Sequence, residues 1–121
     1  MDVYILAYPH MLDAQQFFRA LSDGTRLRCL LLLLVEEQLC VCEFVHALDL
    51  SQPRVSRHLG HLRDLGIVQD DRRGQWVHYH LHPALPPWTH EVLEAALHAE
   101  GLSDVRQRLA TMPNRPSAAC D

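Results

Sequence analysis

The sequence predicts a mainly α-helical fold carrying one two-stranded β-hairpin. Three observations predict it. Apolar residues recur at helical spacing along most of the chain. One stretch, "IVQDDRRGQWVHYHL", alternates instead around a Gly-containing turn, placing Trp76, His78 and His80 on one face and Val77, Tyr79 and Leu81 on the other. Pro83, Pro86 and Pro87 then end the hairpin before a last apolar-periodic segment begins. At 121 residues the chain is long enough for one cored domain and too short for two. That domain is expected over residues 1–110, with a flexible tail over 111–121.

A first helix is expected from Met11 to Leu21, with Leu12, Phe17, Phe18 and Leu21 on its apolar side. "SDGT", Ser22 to Thr25, is a break with capping residues, and a second helix follows from Thr25 to Glu36. A short helix from Cys42 to Leu48 comes next. Asp49-Leu50-Ser51 reads as a turn, with Ser51 as N-cap and Pro53 tolerated in the first helical turn that follows. In the helix after this turn, Val55, Leu59 and Leu62 form an inner stripe at i, i+4 and i+7. Arg54, Arg57, His58 and His61 fall on the other side. Leu65-Gly66 closes it, with Gly66 suited to the left-handed position past a helix end. The hairpin follows with Arg72 and Arg73 at its tip, and a long final helix is expected from Trp88 to Leu109. Its broad apolar side carries Val92, Leu93, Ala96, Leu97, Val105 and Leu109.

Charge is unevenly spread. Net charge is −4, and residues 1–50 carry three Arg against seven acids. Residues 51–82 instead carry five Arg against three acids, together with five of the nine His. An acidic scaffold with one locally basic segment is the pattern of a binding face for a polyanion. Helix, short helix, turn, polar-faced helix and hairpin is the order of a winged helix-turn-helix, in which the second helix enters the DNA major groove and the hairpin meets the backbone or minor groove. The candidate DNA contacts are Ser51, Gln52, Arg54, Val55, Ser56, Arg57, His58 and His61 on the helix, and Arg72, Arg73 and Gln75 on the hairpin. The terminal helices present more apolar surface than so small a core can cover. A homodimer seam is therefore expected there, at Val92, Leu93, Ala96 and Leu97.

The longest apolar run, Cys29 to Val35, is far short of a membrane span, and MDVYILAYPH has no basic leader. A cytoplasmic protein without membrane contact is expected. In that compartment closely spaced cysteines are more often metal-binding or redox-active than disulfide-bonded. Cys40 and Cys42 are such a pair. In a continuous helix, residues i and i+2 point about 200° apart, so two sulfurs on one soft ion at roughly 2.3 Å require non-helical backbone near Cys40. The start of the short helix is such a place, and a helix N-terminus favours thiolate. Cys29, inside "RLRCLLLLLV", reads as a core residue. Against an enzyme stand the lack of a phosphate-cradling loop, of C-x-x-C on a βαβ unit, and of a Ser/His/Asp arrangement. A thiol redox switch and a small thiol oxidoreductase remain the alternative uses of the pair.

The stretches "ALSDGTRLRCLLLL", "LCVCEFV", "LSQPRVSRHLGHLRDLGIV" and "RRGQWVHYHL" resemble the arsenic-responsive repressors of the ArsR/SmtB family, over residues 20–88. The resemblance implies a homodimeric winged-helix repressor that leaves double-stranded operator DNA when a metal or metalloid binds. It narrows the soft inducer to trivalent arsenic or antimony, as arsenite, methylarsenite or antimonite, held by Cys40 and Cys42 with no organic cofactor. Many relatives carry a third cysteine three residues after the second, where this chain has Val45. Cys120 is then the candidate third ligand, with water or a methyl group as the other possibilities. Other members bind zinc through the last helix. Here His90, Glu94 and His98 share a helix face without the Asp-x-His pair of those sites, and read as a solvated face.

Overall fold

The computed structural model describes residues 12–116. Among the described residues six helices and three strands follow in order: α1 (Ala14–Leu21), α2 (Gly24–Glu36), β1 (Leu39–Cys40), α3 (Val41–Leu48), α4 (Gln52–Asp64), β2 (Val68–Arg73), β3 (Trp76–Leu81), α5 (Pro87–Glu100) and α6 (Ser103–Ala110). Met11, expected in the first helix, lies outside the described residues. α1 instead starts at a reciprocal cap, in which the Gln16 N–H donates to Asp13 Oδ1 at 2.7 Å and the Asp13 N–H to Gln16 Oε1 at 3.1 Å. Asp23 caps α2, accepting from the Thr25 and Arg26 N–H groups at 2.8 and 3.1 Å.

α2 is the centre of the core. Cys29, Leu30, Leu31, Leu32 and Leu33 are all buried, so the helix is covered on every side rather than on one stripe. It packs against α1, α3, α4, α5 and β3. The turn between α3 and α4 depends on Asp49, whose φ of 56° and ψ of 48° are left-handed values that Asp tolerates better than most residues. α4 closes with the double bond of a Schellman motif. The Ile67 N–H reaches the Leu62 carbonyl and the Gly66 N–H the Arg63 carbonyl, both at 3.0 Å, with Gly66 at φ 78°. Leu62 and Ile67 are both fully buried at this junction.

Two expectations are corrected. The sheet has three antiparallel strands in the order β1-β3-β2, because Leu39 and Cys40 pair with Tyr79 and His78 on the free edge of the hairpin. A two-residue strand has no periodicity to read. The final helix is two helices, broken at Gly101 (φ 66°), whose N–H closes α5 on the Leu97 carbonyl at 3.0 Å. Leu102 is buried there, and α6 turns to pack on α3, where Arg108 Nε donates to the Ala47 carbonyl at 2.8 Å. The segment past α6 is held too: Met112 packs on the core, and Arg115 forms ion pairs with Glu36 and Glu43. No helix among the described residues is long and apolar enough to cross a membrane.

Two glycines of one helix region should respond in opposite ways. Gly66→Ala forces an L side chain into a left-handed backbone and should lower stability by about 1–2 kcal/mol. Gly60→Ala places its Cβ 3.7 Å from the Arg63 guanidinium, an ordinary contact within a helix. It should be neutral or stabilising by up to about 1 kcal/mol. Urea unfolding of both variants measures the contrast, and equal losses would mean that Gly66 is not held by its conformation.

Candidate functional site

The basic face is built on α4. Ser51 caps the helix, its Oγ accepting from the Arg54 N–H at 3.4 Å, and Pro53 stands in the first turn. Ser51, Gln52, Arg54, Arg57 and His61 are exposed, and Ser56 and His58 half-buried. Val55 is corrected: it is fully buried with Leu59 and Leu62, so it supports the face from behind and cannot reach DNA. His58 turns partly toward the start of α2. Burial holds its imidazole below the ordinary value, Asp23 pulls the other way, and Arg26, Arg57 and Arg54 act in the same direction as burial.

On the hairpin, Arg73 pairs with Trp76 across a two-residue turn, and Gly74 has φ 61°. Arg72, Arg73 and Gln75 are all exposed. The two arginines differ in what they meet. Arg73 Nε donates to Asp71 at 3.2 Å, whereas Arg72 makes no ion pair among the described residues. Arg63, near the end of α4, is tied to Asp64 and Asp70 at 3.6 and 3.5 Å.

The two cysteines meet in one pocket. Cys40 is the N-cap of α3 with φ −80° and ψ 159°, extended rather than helical, and Cys42 stands in the first turn. The antipodal arrangement of i and i+2 on a helix therefore does not apply. Both residues line a pocket of about 360 Å³ together with Val41, Val45, Gln52, Gln75, Trp76 and Val77. Its walls are the start of α3, the first residue of α4 and the turn of the hairpin. Cys40 is 1% exposed, and its Sγ lies 3.6 Å from each ring nitrogen of the fully buried His78, its cross-strand partner.

A helix N-terminus was expected to favour thiolate here. At Cys42 it does not prevail: burial pushes the thiol up, the Glu43 carboxylate adds to this, and the N–H groups of Cys42 and Glu43 only oppose it. Cys29 is fully buried in α2, its thiol pushed up to about 12 by burial and then by Asp23, which agrees with its reading as core. Cys120 lies outside the described residues. Among the described residues no three His, Cys, Asp or Glu side chains converge to hold a metal ion. On α5, Glu94 and His98 are exposed and His90 half-buried.

Sequence reading missed Glu43, Arg115 and His78. The Glu43 carboxylate is fully buried. Its Oε1 accepts from the Cys40 N–H at 2.7 Å and its Oε2 from Arg115 Nε at 2.6 Å. The spacing of Cys40 and Glu43 is that of a capping box, the one local signal for it. His78 becomes visible only once β1 is known to pair with β3.

Comparison with known proteins agrees with this architecture. The profile of the family described as "Bacterial regulatory protein, arsR family" matches residues 23–70. The arsenic resistance transcriptional regulator ArsR1 of Pseudomonas putida is 50% identical over 103 residues, covering 84% of this chain and 80% of that protein. The arsenical resistance operon repressor of Escherichia coli is 46% identical over 85 residues, covering 70% and 73%. The crystal structure of the AntR antimony-specific transcriptional repressor superposes with a TM-score of 0.60 at 30% identity, covering 75% of this chain and 78% of that one. The chain thus belongs to the ArsR family of bacterial regulatory proteins, which are winged-helix regulators and not enzymes.

Proposed function

We propose that this protein is a cytoplasmic repressor that binds operator DNA as a homodimer through α4 and the hairpin, and that trivalent arsenic or antimony bound by Cys40 and Cys42 releases it. One observation carries the reading: the pocket that both cysteines line is walled by Gln52 of α4 and by Gln75 to Val77 of the hairpin. An occupant held there lies between both candidate DNA-contacting elements. The relatives are named for arsenic resistance and, in one structure, for antimony, and two thiols are the soft donors such ions select. With arsenite, each cysteine gives up its thiol proton to a departing hydroxyl, released as water, as an arsenic–oxygen bond is exchanged for an arsenic–sulfur bond. The third position keeps its hydroxyl, keeps a methyl group in a methylated arsenical, or takes the thiolate of Cys120. Val45 lines the pocket where many relatives have a third cysteine.

The seam expected for the dimer is amended by burial. Leu93 is fully buried within the subunit, so it holds α5 to the core. Val92, Ala96 and Leu97 of the expected seam stay half-buried, and Trp88 extends the stripe at i, i+4 and i+8 with Val92 and Ala96, with the 52% exposed Phe18 6.4 Å from Trp88 across the α1–α5 contact. We place the partner subunit there. Val92→Glu with Ala96→Glu should sediment as a monomer and lose tight operator binding together. A variant that stays dimeric moves the seam elsewhere.

On DNA, Arg72 is free to meet phosphate while Arg73 is engaged by Asp71. Arg72→Ala should weaken binding on all sequences and reduce the slope of log K against log salt by about two, one for each protomer. Arg73→Ala should change the slope less. Equal slopes for Arg72→Ala and wild type would remove the hairpin from the interface.

Coupling between the two ligands should be about 1–3 kcal/mol, roughly 5–150-fold in operator affinity, and reciprocal. Fluorescence anisotropy on labelled operator, titrated with arsenite, measures it. Cys40→Ser and Cys42→Ser should each bind operator and fail to release it, whereas Cys29→Ser should release normally. Release of the double Cys40→Ser, Cys42→Ser variant at the wild-type arsenite concentration would dismiss this pair as the sensor.

A further inference from the structure

The carboxylate of Glu43 divides its two oxygens between the sensor and the far end of the chain. Oε1 accepts from the Cys40 N–H at 2.7 Å, three residues away, and Oε2 accepts from Arg115 Nε at 2.6 Å, 72 residues away. Arg115 is braced in turn, its Nη2 reaching Glu36 Oε1 at 3.0 Å, and Arg106 Nε lies 3.4 Å from the other Glu36 oxygen. The Glu43 side chain is fully buried, while those of Arg115 and Glu36 are 25% and 18% exposed. A charge buried that deeply is tolerated when it is paired and hydrogen-bonded. The guanidinium therefore does more than join two surfaces: it fixes where the carboxylate lies, and the carboxylate fixes the Cys40 amide.

We propose that Arg115, acting through Glu43, is a positioning residue of the metalloid site: it holds Cys40 in the extended N-cap conformation that turns its thiol into the pocket shared with Cys42. This rests on the reading of Cys40 and Cys42 as the inducer site. The conformation at stake is the φ of −80° and ψ of 159° at Cys40, without which two residues spaced i and i+2 diverge. Two thiols that close on one atom gain affinity when they are held in that arrangement beforehand. Hydrogen bonds behind the ligands that orient them are typically worth about 10–100-fold in metal affinity. The segment past α6 thus belongs to the sensor, although Arg115 contacts neither sulfur through any hydrogen bond seen here.

The test is arsenite titration of the full-length protein, read by calorimetry, together with hydrogen exchange at the Cys40 amide followed by NMR. Arg115→Ala should weaken arsenite binding by about tenfold or more. It should also speed exchange at the Cys40 amide while the amides of α2 stay protected, and leave operator affinity without arsenite unchanged. Arg115→Lys should recover part of the arsenite affinity. A merely structural role would instead speed exchange throughout α2 and lower operator affinity in step. Should Arg115→Ala not fold, the paired Glu43→Gln, Arg115→Met variant removes both charges at once. It too should weaken arsenite binding, because the Cys40 amide is then bonded to a side chain that has lost the Arg115 contact. Wild-type arsenite affinity in whichever of these folds overturns the clamp. The Cys40→Ser, Cys42→Ser variant run alongside separates the two claims. If that variant still binds arsenite as wild type does, the inducer-site reading fails. If it does not bind and Arg115→Ala binds normally, only the clamp fails.

Discussion

Leu39 and Cys40 pair with Tyr79 and His78, and most of the functional geometry hangs from that two-residue contact. Cys40 is at once the last residue of β1 and the N-cap of α3, so the sheet decides where the short helix begins and which way its first thiol faces. The partner strand β3 is the inner strand of the hairpin, and its first residue, Trp76, walls the thiol pocket. A sheet contact of this kind does not slide, because a one-residue slip would send the buried side chains to the opposite face. Cys40 and His78 are 1% and 0% exposed, so a slip would expose both. The start of α3 is therefore tied in register to the hairpin.

The electrostatic design is one of cancellation. The chain has a net charge of −4, yet its α4 face is basic. Arg63 is neutralised by Asp64 and Asp70, Arg73 by Asp71, and Arg106 and Arg115 by Glu36, with Glu43 adding to Arg115. The exposed pairs among these, those of Arg63 and Arg73, contribute only about 0–1 kcal/mol each to stability. Their larger effect is on the field, since they leave Arg54, Arg57 and Arg72 as arginines of the basic segment without an ion pair among the described residues. Net charge alone is a poor guide to such a protein, because what a polyanion meets is the local distribution.

The three described cysteines show how far burial governs sulfur chemistry. Cys29 sits in a helix covered on all sides and is inert in the core. Cys40 and Cys42 are kept at a pocket, one buried against an imidazole and one half-exposed beside a carboxylate. A helix N-terminus attracts negative charge, but at Cys42 the loss of water and the neighbouring Glu43 outweigh it. Such a thiol can still be exchanged onto a soft ion whose leaving hydroxyl accepts its proton.

Most helix positions, the capping residues before α2 and α4, the Gly66 stop, the Arg and His face of α4 and the tip of the hairpin were legible in the sequence, because each depends on residues within a few positions of one another. The winged order and the special standing of Cys40 and Cys42 followed from the same local patterns. Tertiary structure decided the rest. The third strand exists only because residues 38 positions apart meet at Cys40 and His78, and the buried Glu43 is matched by an arginine 72 positions away. The burial of Leu93 depends on which side of α5 faces α2. The raised thiol of Cys42 depends on how much water its neighbours exclude. Periodicity and capping report the nearest turn of chain, whereas strand pairing, desolvation and buried charge depend on what distant segments bring into contact.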